Sequence, residues 1–484
     1  MSLPIKGTKS HSYSNIIKYS PNNLYLAVVN TFKLLIFPLK QPKLIPSFTK
    51  SFKDEITHIK WSSNSQWIIV GVFVRNLIFV QSITKEKQYY KIYEGLYGVV
   101  NSLFVPKSTH KIININKYNI RLTVWNVIEQ QCHFINDIKF PDKRSLIFSK
   151  KDPYMCIAKR KISGEYLSIV NYNDWTTVKD FQLKTFDLQN IKWSYDYENI
   201  FVIDSEIECS LFIYHANSGE LIKHIQPYEN KMGISTFKIS PHGNFFMLGC
   251  YDGNAYLYAY GSDMMLIDIF EHGLLFIDNN VIILQEYVYK MNQGNEKESR
   301  LISYFNTIEV PYKIEIDDYK DTPQNNVVNL IEWSGDGSFV CTTIKAVDNV
   351  LWIWRVKDLS LYKVIIFKNP ITNMKCSSVS TNILIILCNS SRTFFYEFNK
   401  HEITAYESKL VIPPNKVLIN KEGDKFILAN NTNFLSCLIN VNKEQIINNL
   451  EQGQNSMEIF SNTGGGVFNQ MGVSGMYPDN EYND

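Results

Sequence analysis

The sequence predicts an all-β protein made of short antiparallel sheets arranged in a ring, and three observations predict it. A two-strand unit recurs along the chain, each time around a polar turn. The turn anchors are Ser20, Ser62, Val105, Ser149, Ser194, Ser240, Ser334, Ser377 and Asn420, so units start 42 to 46 residues apart apart from one long step, Ser240 to Ser334. A third alternating strand follows nearly every unit, as in "KLLIFPL", "RLTVWNV", "AYLYAY" and "VLWIWRV". Aromatic residues make up 14% of the chain and hydrophobic residues 45%, a composition that suits half-buried strands.

The stretch "FKISPHGNFFMLGCYDGNAYLYAY" at 237–260 shows why each element forms. One strand ends at Ile239, and Pro241 and Gly243 in the following turn supply its special backbone angles. The next strand spans about Phe245 to Cys250 and is apolar on both sides. Asp252-Gly253 fits a tight hairpin with positive φ, and "AYLYAY" and "MLIDIF" complete four strands. Such a sheet has two apolar faces and cannot bury both alone. Stacking sheets around an axis covers both faces and leaves only short edges. Four strands at a period in the low forties is the spacing of a WD-repeat β-propeller blade. Nine anchors predict one ring of about nine blades, because nine units do not divide into two rings of ordinary size. No Trp-Asp dipeptide is present, and the nearest are Trp125-Asn126 and Trp354-Arg355.

The propeller is expected over residues 1–440. The long step is read as an insertion on blade six, at about 271–328, with a tenth, degraded blade as the alternative. Its halves "LLFIDNNVIILQEYVYK" and "LISYFNTIEVPYKIEI" have strand character and flank the polar "MNQGNEKESR". Residues before Ile16 are expected to supply the outer strand of the last blade. Residues 441–460 suit a short helix, with Ile446, Ile447 and Leu450 on one face, and the Gly/Asn-rich 461–484 reads as a flexible tail.

Composition and motifs argue against several classes of function. The formal net charge is +2, with no basic block of the kind a dedicated nucleic-acid binder carries. Eight cysteines lie scattered without a Cys-x-x-Cys pair, which suits reduced thiols in an intracellular protein rather than a zinc site. The N-terminus has no signal-peptide core, and the early apolar segment is broken by Asn30, Thr31 and Lys33. No phosphate-binding loop, nucleophile elbow or His-Glu-x-x-His is present, and "TGGGVFNQMG" lacks a flanking strand and helix. His242 reads as a turn residue, and Asp317, Asp318 and Asp321 as a solvated turn. No catalytic residue, metal site or cofactor is expected, and the protein is not read as an enzyme.

Recognition is the better expectation. Two connections between blades, "YEGLYGVV" and "QPYENKMGI", place a Tyr and a Glu at the same point of the repeat. Glu94, Tyr97, Tyr228, Glu229 and Met232 are therefore the candidate partner-binding residues. The competing reading is structural, with each carboxylate capping its own loop and each Tyr packed on the next blade.

The stretch from Tyr93 to Val127 resembles the third repeat of the WD-repeat-containing protein eight family. It carries Glu94-Gly95 and a strand with Arg121, Leu122, Thr123, Val124 and Trp125. The segment holding Asp174, Trp175, Phe181, Thr185, Asp187, Leu188, Ile191 and Trp193 is also similar, as are "YENKMGI", "GCYDG" and "VLWIWRVKDL". The resemblance spans about residues 12–440. It implies a non-enzymatic scaffold of the cytoskeleton at centrosomes, spindle poles or basal bodies. It further implies a coiled-coil centrosomal adaptor of the synovial-sarcoma-X-breakpoint-interacting type as partner and, in some lineages, a minus-end-directed kinesin. Anchoring of microtubule minus ends, spindle assembly and ciliogenesis would be its work. It gives no catalytic residue, no nucleic acid and no membrane partner. Two alternatives stay open: a translation-initiation-type propeller that binds RNA or the ribosome, and a WD adaptor in another complex.

Overall fold

The computed structural model describes residues 5–7, 11–12, 16–39, 45–228, 232–292, 299–315, 326–377, 381–408, 410 and 412–439. The expected helix and tail at 441–484 lie outside the described residues, as do Asp317, Asp318 and Asp321.

Nine blade sheets follow one another along the chain, each built on four antiparallel strands ordered a, b, c and d from the axis outward, with added strands in blades seven and nine. Blade three is representative, with Asn101–Phe104, Lys111–Ile115, Arg121–Asn126 and Gln131–Asn136. The last blade takes three strands from 416–439 and its outer strand from Ile5–Gly7, which pairs antiparallel with Asn433–Ile439. The N-terminus thus supplies the closing strand.

The core sits between the blades. Hydrophobic clusters fill each of the nine junctions, from Ala27, Val29 and Ile68 between blades one and two to Val28 and Ile427 between blades one and nine. Period-two alternation lets one strand serve two neighbours. In strand b of blade six, Phe246, Leu248 and Cys250 pack toward blade five, while Met247 packs toward blade seven. This explains why strands b and c are apolar on both sides. Seven of the eight cysteines are buried or half-buried within this packing, and Cys132 on an outer strand is exposed.

The anchor serines have a hydrogen-bonding reason. Each ends strand a, and except at Ser149, whose hydroxyl accepts the Lys151 and Asp152 amides within the turn, the hydroxyl accepts the backbone N–H that opens strand b. Tyr25 donates to Ser20 at 2.9 Å, Trp67 to Ser62 at 3.0 Å, Asn199 to Ser194 at 3.0 Å and Phe339 to Ser334 at 2.9 Å. Asn420 does the same through its amide oxygen to Lys425, at 3.0 Å. Val105 cannot accept, and Ser108 substitutes for it by accepting from Lys111 at 3.0 Å.

The insertion departs from the sequence reading in one respect: it is added to blade seven rather than to blade six. Ile282–Asn292 pairs in parallel with Ser360–Ile366, the outer strand of blade seven, and Ser299–Ile308 folds back on it, giving a six-stranded sheet. The hairpin has a face for each neighbour. Ile283 enters the junction of blades six and seven, while Leu284 and Phe305 pack toward blade eight. An ion pair at its base is nearly dry. Arg392 lies 3.0 Å from Glu286, with side chains 10% and 2% exposed. Glu286 also accepts from Ser303 and from the Lys368 amide, at 2.7 and 2.9 Å.

Candidate functional site

The antiparallel order places every d-to-a and b-to-c connection on one flat face of the ring. The a-to-b and c-to-d turns lie on the other. Four of the five candidate residues fall on the first face, and Glu229 lies outside the described residues.

Glu94 follows the strand Tyr89–Tyr93 in the connection between blades two and three, and it points inward. It is 5% exposed and accepts the Asn114 amide and the Trp125 indole N–H, both at 2.6 Å. The sequence reading offered it to a partner, or as a cap for its own loop. The structure uses it to join strands b and c of blade three to the loop. A buried carboxylate with two donors is costly to expose.

Its loop neighbours point outward. Gly95–Tyr97 forms a 3-10 turn, and Gly98 follows with φ +61°, a conformation that side chains rarely adopt. The loop is tied at both ends. Asn76 donates to the Gly95 carbonyl at 2.8 Å, and Asn116 donates to that of Gly98 at 2.9 Å. The Arg121 guanidinium lies 4.3 Å from the Tyr97 ring centre and 3.9 Å from that of Phe134. Tyr97 is 40% exposed, and Leu96 at the tip is 94% exposed.

The connection between blades five and six is held differently. Tyr228 is half-buried, lies 6.0 Å from Tyr256, and donates to the Met232 carbonyl. Burial pushes its phenol pKa upward, with the neighbouring Cys250 next in weight. Tyr228 therefore packs between blades, as the structural reading had it. A side chain at Gly233 would meet the Glu208 carbonyl oxygen at 2.7 Å, so this loop lies directly on its neighbour. Met232 remains outward and exposed.

Several features of the loops escaped the sequence reading. The first is the set of apolar loop tips beyond the two chosen loops. Val74, Ile162, Phe186 and Ile207 are all exposed on the same face as Leu96 and Met232, so blades two to six each contribute. Their signal was an apolar residue between turn residues, as in "KTFDL". The second is the network that stiffens these loops. Asp204 accepts the Phe186 and Asp187 amides at 2.9 and 2.8 Å. Glu165 accepts the Leu188 amide and the Thr185 hydroxyl, each at 2.7 Å, and pairs with buried Lys139. Lys139 also reaches Asp187 at 2.7 Å. Phe186 thus projects from a loop whose backbone is fixed.

The third is His272, which opens the connection from blade six. It lies 2.6 Å from the Gly253 carbonyl and 2.7 Å from the Thr342 hydroxyl, which in turn accepts the Trp354 indole N–H at 2.8 Å. The carbonyl fixes the tautomer: Nδ1 donates to it, and Nε2 accepts from Thr342. Burial lowers the His272 pKa from 6.5 to about 4. Glu94 precedes its strand-b partner by 20 residues, whereas His272 precedes Thr342 by 70. The insertion hides the equivalence.

Nine blades closed by an N-terminal strand define a nine-bladed β-propeller. Among known proteins, the chain is 25% identical to the WD repeat-containing protein WRAP73 of Mus musculus over 376 residues, which covers 74% of this chain and 80% of that one. It is 21% identical over 274 residues to an uncharacterised WD repeat-containing protein of Schizosaccharomyces pombe, covering 56% and 54%. The C-terminal WD40 domain of Sif2 shares the fold with a TM-score of 0.51 at 12% identity, covering 91% of this chain and all of that one. No protein-family model matches the chain.

Proposed function

We propose that this chain is a non-enzymatic scaffold that captures a protein partner on its loop face and works at centrosomes, spindle poles or basal bodies. The carrying observation is the set of exposed apolar tips, Val74, Leu96, Ile162, Phe186, Ile207 and Met232, of which Leu96 and Phe186 stand on loops tied down by polar bonds. Rigid loops lose little entropy on binding, and exposed apolar side chains are what the buried centre of an interface is made of. An amphipathic helix of a coiled-coil adaptor, laid across successive blades, is the partner that such a row fits. The cellular place rests on the family resemblance of 93–127 and of the segment around Trp175 and Trp193. A minus-end-directed kinesin and microtubule minus-end anchoring follow from that same resemblance.

Localisation tests this reading. A fluorescently tagged copy, imaged in dividing cells beside a tubulin marker, is expected to form foci at spindle poles or basal bodies. A diffuse signal that sediments with ribosomes would overturn it and favour an RNA-binding propeller.

A further inference from the structure

The ring has a second chemically distinctive region at its axis. In strand a, the residues one and three places before each anchor face the blades. Trp61, Trp193 and Trp333 sit at the first of these positions, and Ile59, Ile191 and Ile331 at the second; all six are buried. Alternation turns the residues two places before each anchor toward the channel. In six of the nine blades that residue is charged: Lys18, Lys60, Lys192, Lys238, Glu332 and Lys375. The chain as a whole is nearly neutral, so five lysines against one carboxylate is a local concentration of charge. Only part of it is neutralised. Glu332 pairs with Lys238 at 2.7 Å, and Lys192 donates to the Phe237 carbonyl at 2.6 Å. Lys18 and Lys60 are exposed and, among the described residues, have no carboxylate within ion-pair distance.

A cavity of about 640 Å³ opens beside this ring. Lys60, Lys143 and Lys192 reach it, while aliphatic side chains such as Leu103, Ile147 and Ile239 form its apolar wall together with the rings of Phe104, Phe148, Trp193, Tyr195 and Tyr197. The side chains come from blades two to six, so the cavity belongs to the channel rather than to one junction. Lysines crowd one another here. Although its side chain reaches the open channel, the surrounding walls partly desolvate the Lys18 ammonium, which lowers its pKa first, followed by Lys60, Lys416 and Lys143. For Lys192, burial and then Lys238 lower it to about 8.

We infer that the central channel is a second binding site, distinct from the loop face, for an extended acidic peptide that alternates carboxylates with aliphatic side chains. Separated lysines, rather than one convergent cluster, suit carboxylates spaced along a strand. A compact polyphosphate would call for charges gathered at one point, with arginine forks among them. A wall of aliphatic and largely covered aromatic side chains suits leucine-like side chains, which pack against both. A single-stranded nucleic acid would call for exposed aromatic platforms, and of the five rings at the cavity only Tyr195 is exposed.

Fluorescence anisotropy tests this inference. The probe is a labelled peptide of alternating Glu and Leu, titrated with the full chain. Saturable binding is expected that weakens as salt rises. Lys60→Gln with Lys192→Gln should raise the Kd about tenfold or more, while the melting temperature stays unchanged. Replacing Lys85 and Lys87, on an outer turn, should leave the Kd unchanged. Inositol hexakisphosphate and an oligo-uridine of matched charge serve as competitors. Three outcomes would overturn the inference: no saturable peptide binding, equal loss from the outer-turn variant, or either competitor binding more tightly than the peptide.

Discussion

Blade three and blade seven close the same joint with different chemistry. In blade three, the loop entering the blade supplies a carboxylate, Glu94, which takes both the Asn114 amide and the Trp125 indole. In blade seven, the loop supplies an imidazole, His272, and the bond from Trp354 reaches it through Thr342. The surroundings differ to match. Trp354 is buried and stacks on Phe270 at 4.7 Å, whereas Trp125 is half-buried. The outward parts differ more. Blade three's loop is a tied turn that presents Leu96 and Tyr97, while blade seven's has grown into a hairpin that extends its own sheet. The lesson is a division of labour within one loop: the inward residue holds the blade, and the outward residues are free to specialise.

Removing the tryptophans probes the inward layer most strongly. Trp354→Ala should destabilise the ring by about 3–5 kcal/mol, the usual cost of emptying a large aromatic site. Trp125→Ala should cost less, because part of that ring already meets solvent. Chemical denaturation of the two variants measures the difference, and equal losses would break the comparison.

The Glu94 joint comes next. Glu94→Ala leaves the Asn114 and Trp125 donors without their acceptor, at a cost of about 1–3 kcal/mol. Glu94→Gln keeps an acceptor oxygen and should recover much of that loss. If both variants match the wild type, the carboxylate does not hold the blade.

A smaller effect separates the two joints by pH. His272 titrates near 6.5 when unfolded and near 4 when folded. The unfolded chain therefore binds more protons between those values, so this site's contribution is complete above pH 6.5 and is lost as pH falls toward 4. His58 in blade two is depressed in the same way and adds to the slope. Melting temperature followed from pH 7.5 to 4.5 should fall more steeply in the wild type than in His272→Gln. Parallel curves would show that His272 carries no proton linkage.

Much of this was legible in the sequence. Blade number, ring closure and turn anchors follow from period and alternation, because the hydrogen-bonding need of each turn selects Ser or Asn at the same point. The site was legible only in part. Tyr97 and Met232, named as candidate partner-binding residues, are exposed on the loop face, but Glu94 and Glu229 looked alike in sequence, and the partners that bury Glu94 lie 20 and 31 residues further on. His272 was hidden by the insertion, and Glu286 by a partner in another blade, Arg392. Such pairings depend on which strands become neighbours, which a local pattern does not encode.

The measurement that tests the central claim most directly is localisation of a Leu96→Asp, Phe186→Asp double variant, paired with its melting curve. Both side chains are exposed, so the stability change should stay within about 0.5 kcal/mol for each. The account predicts a normal melting temperature and loss of the spindle-pole or basal-body signal. An undiminished signal from the folded variant would contradict it.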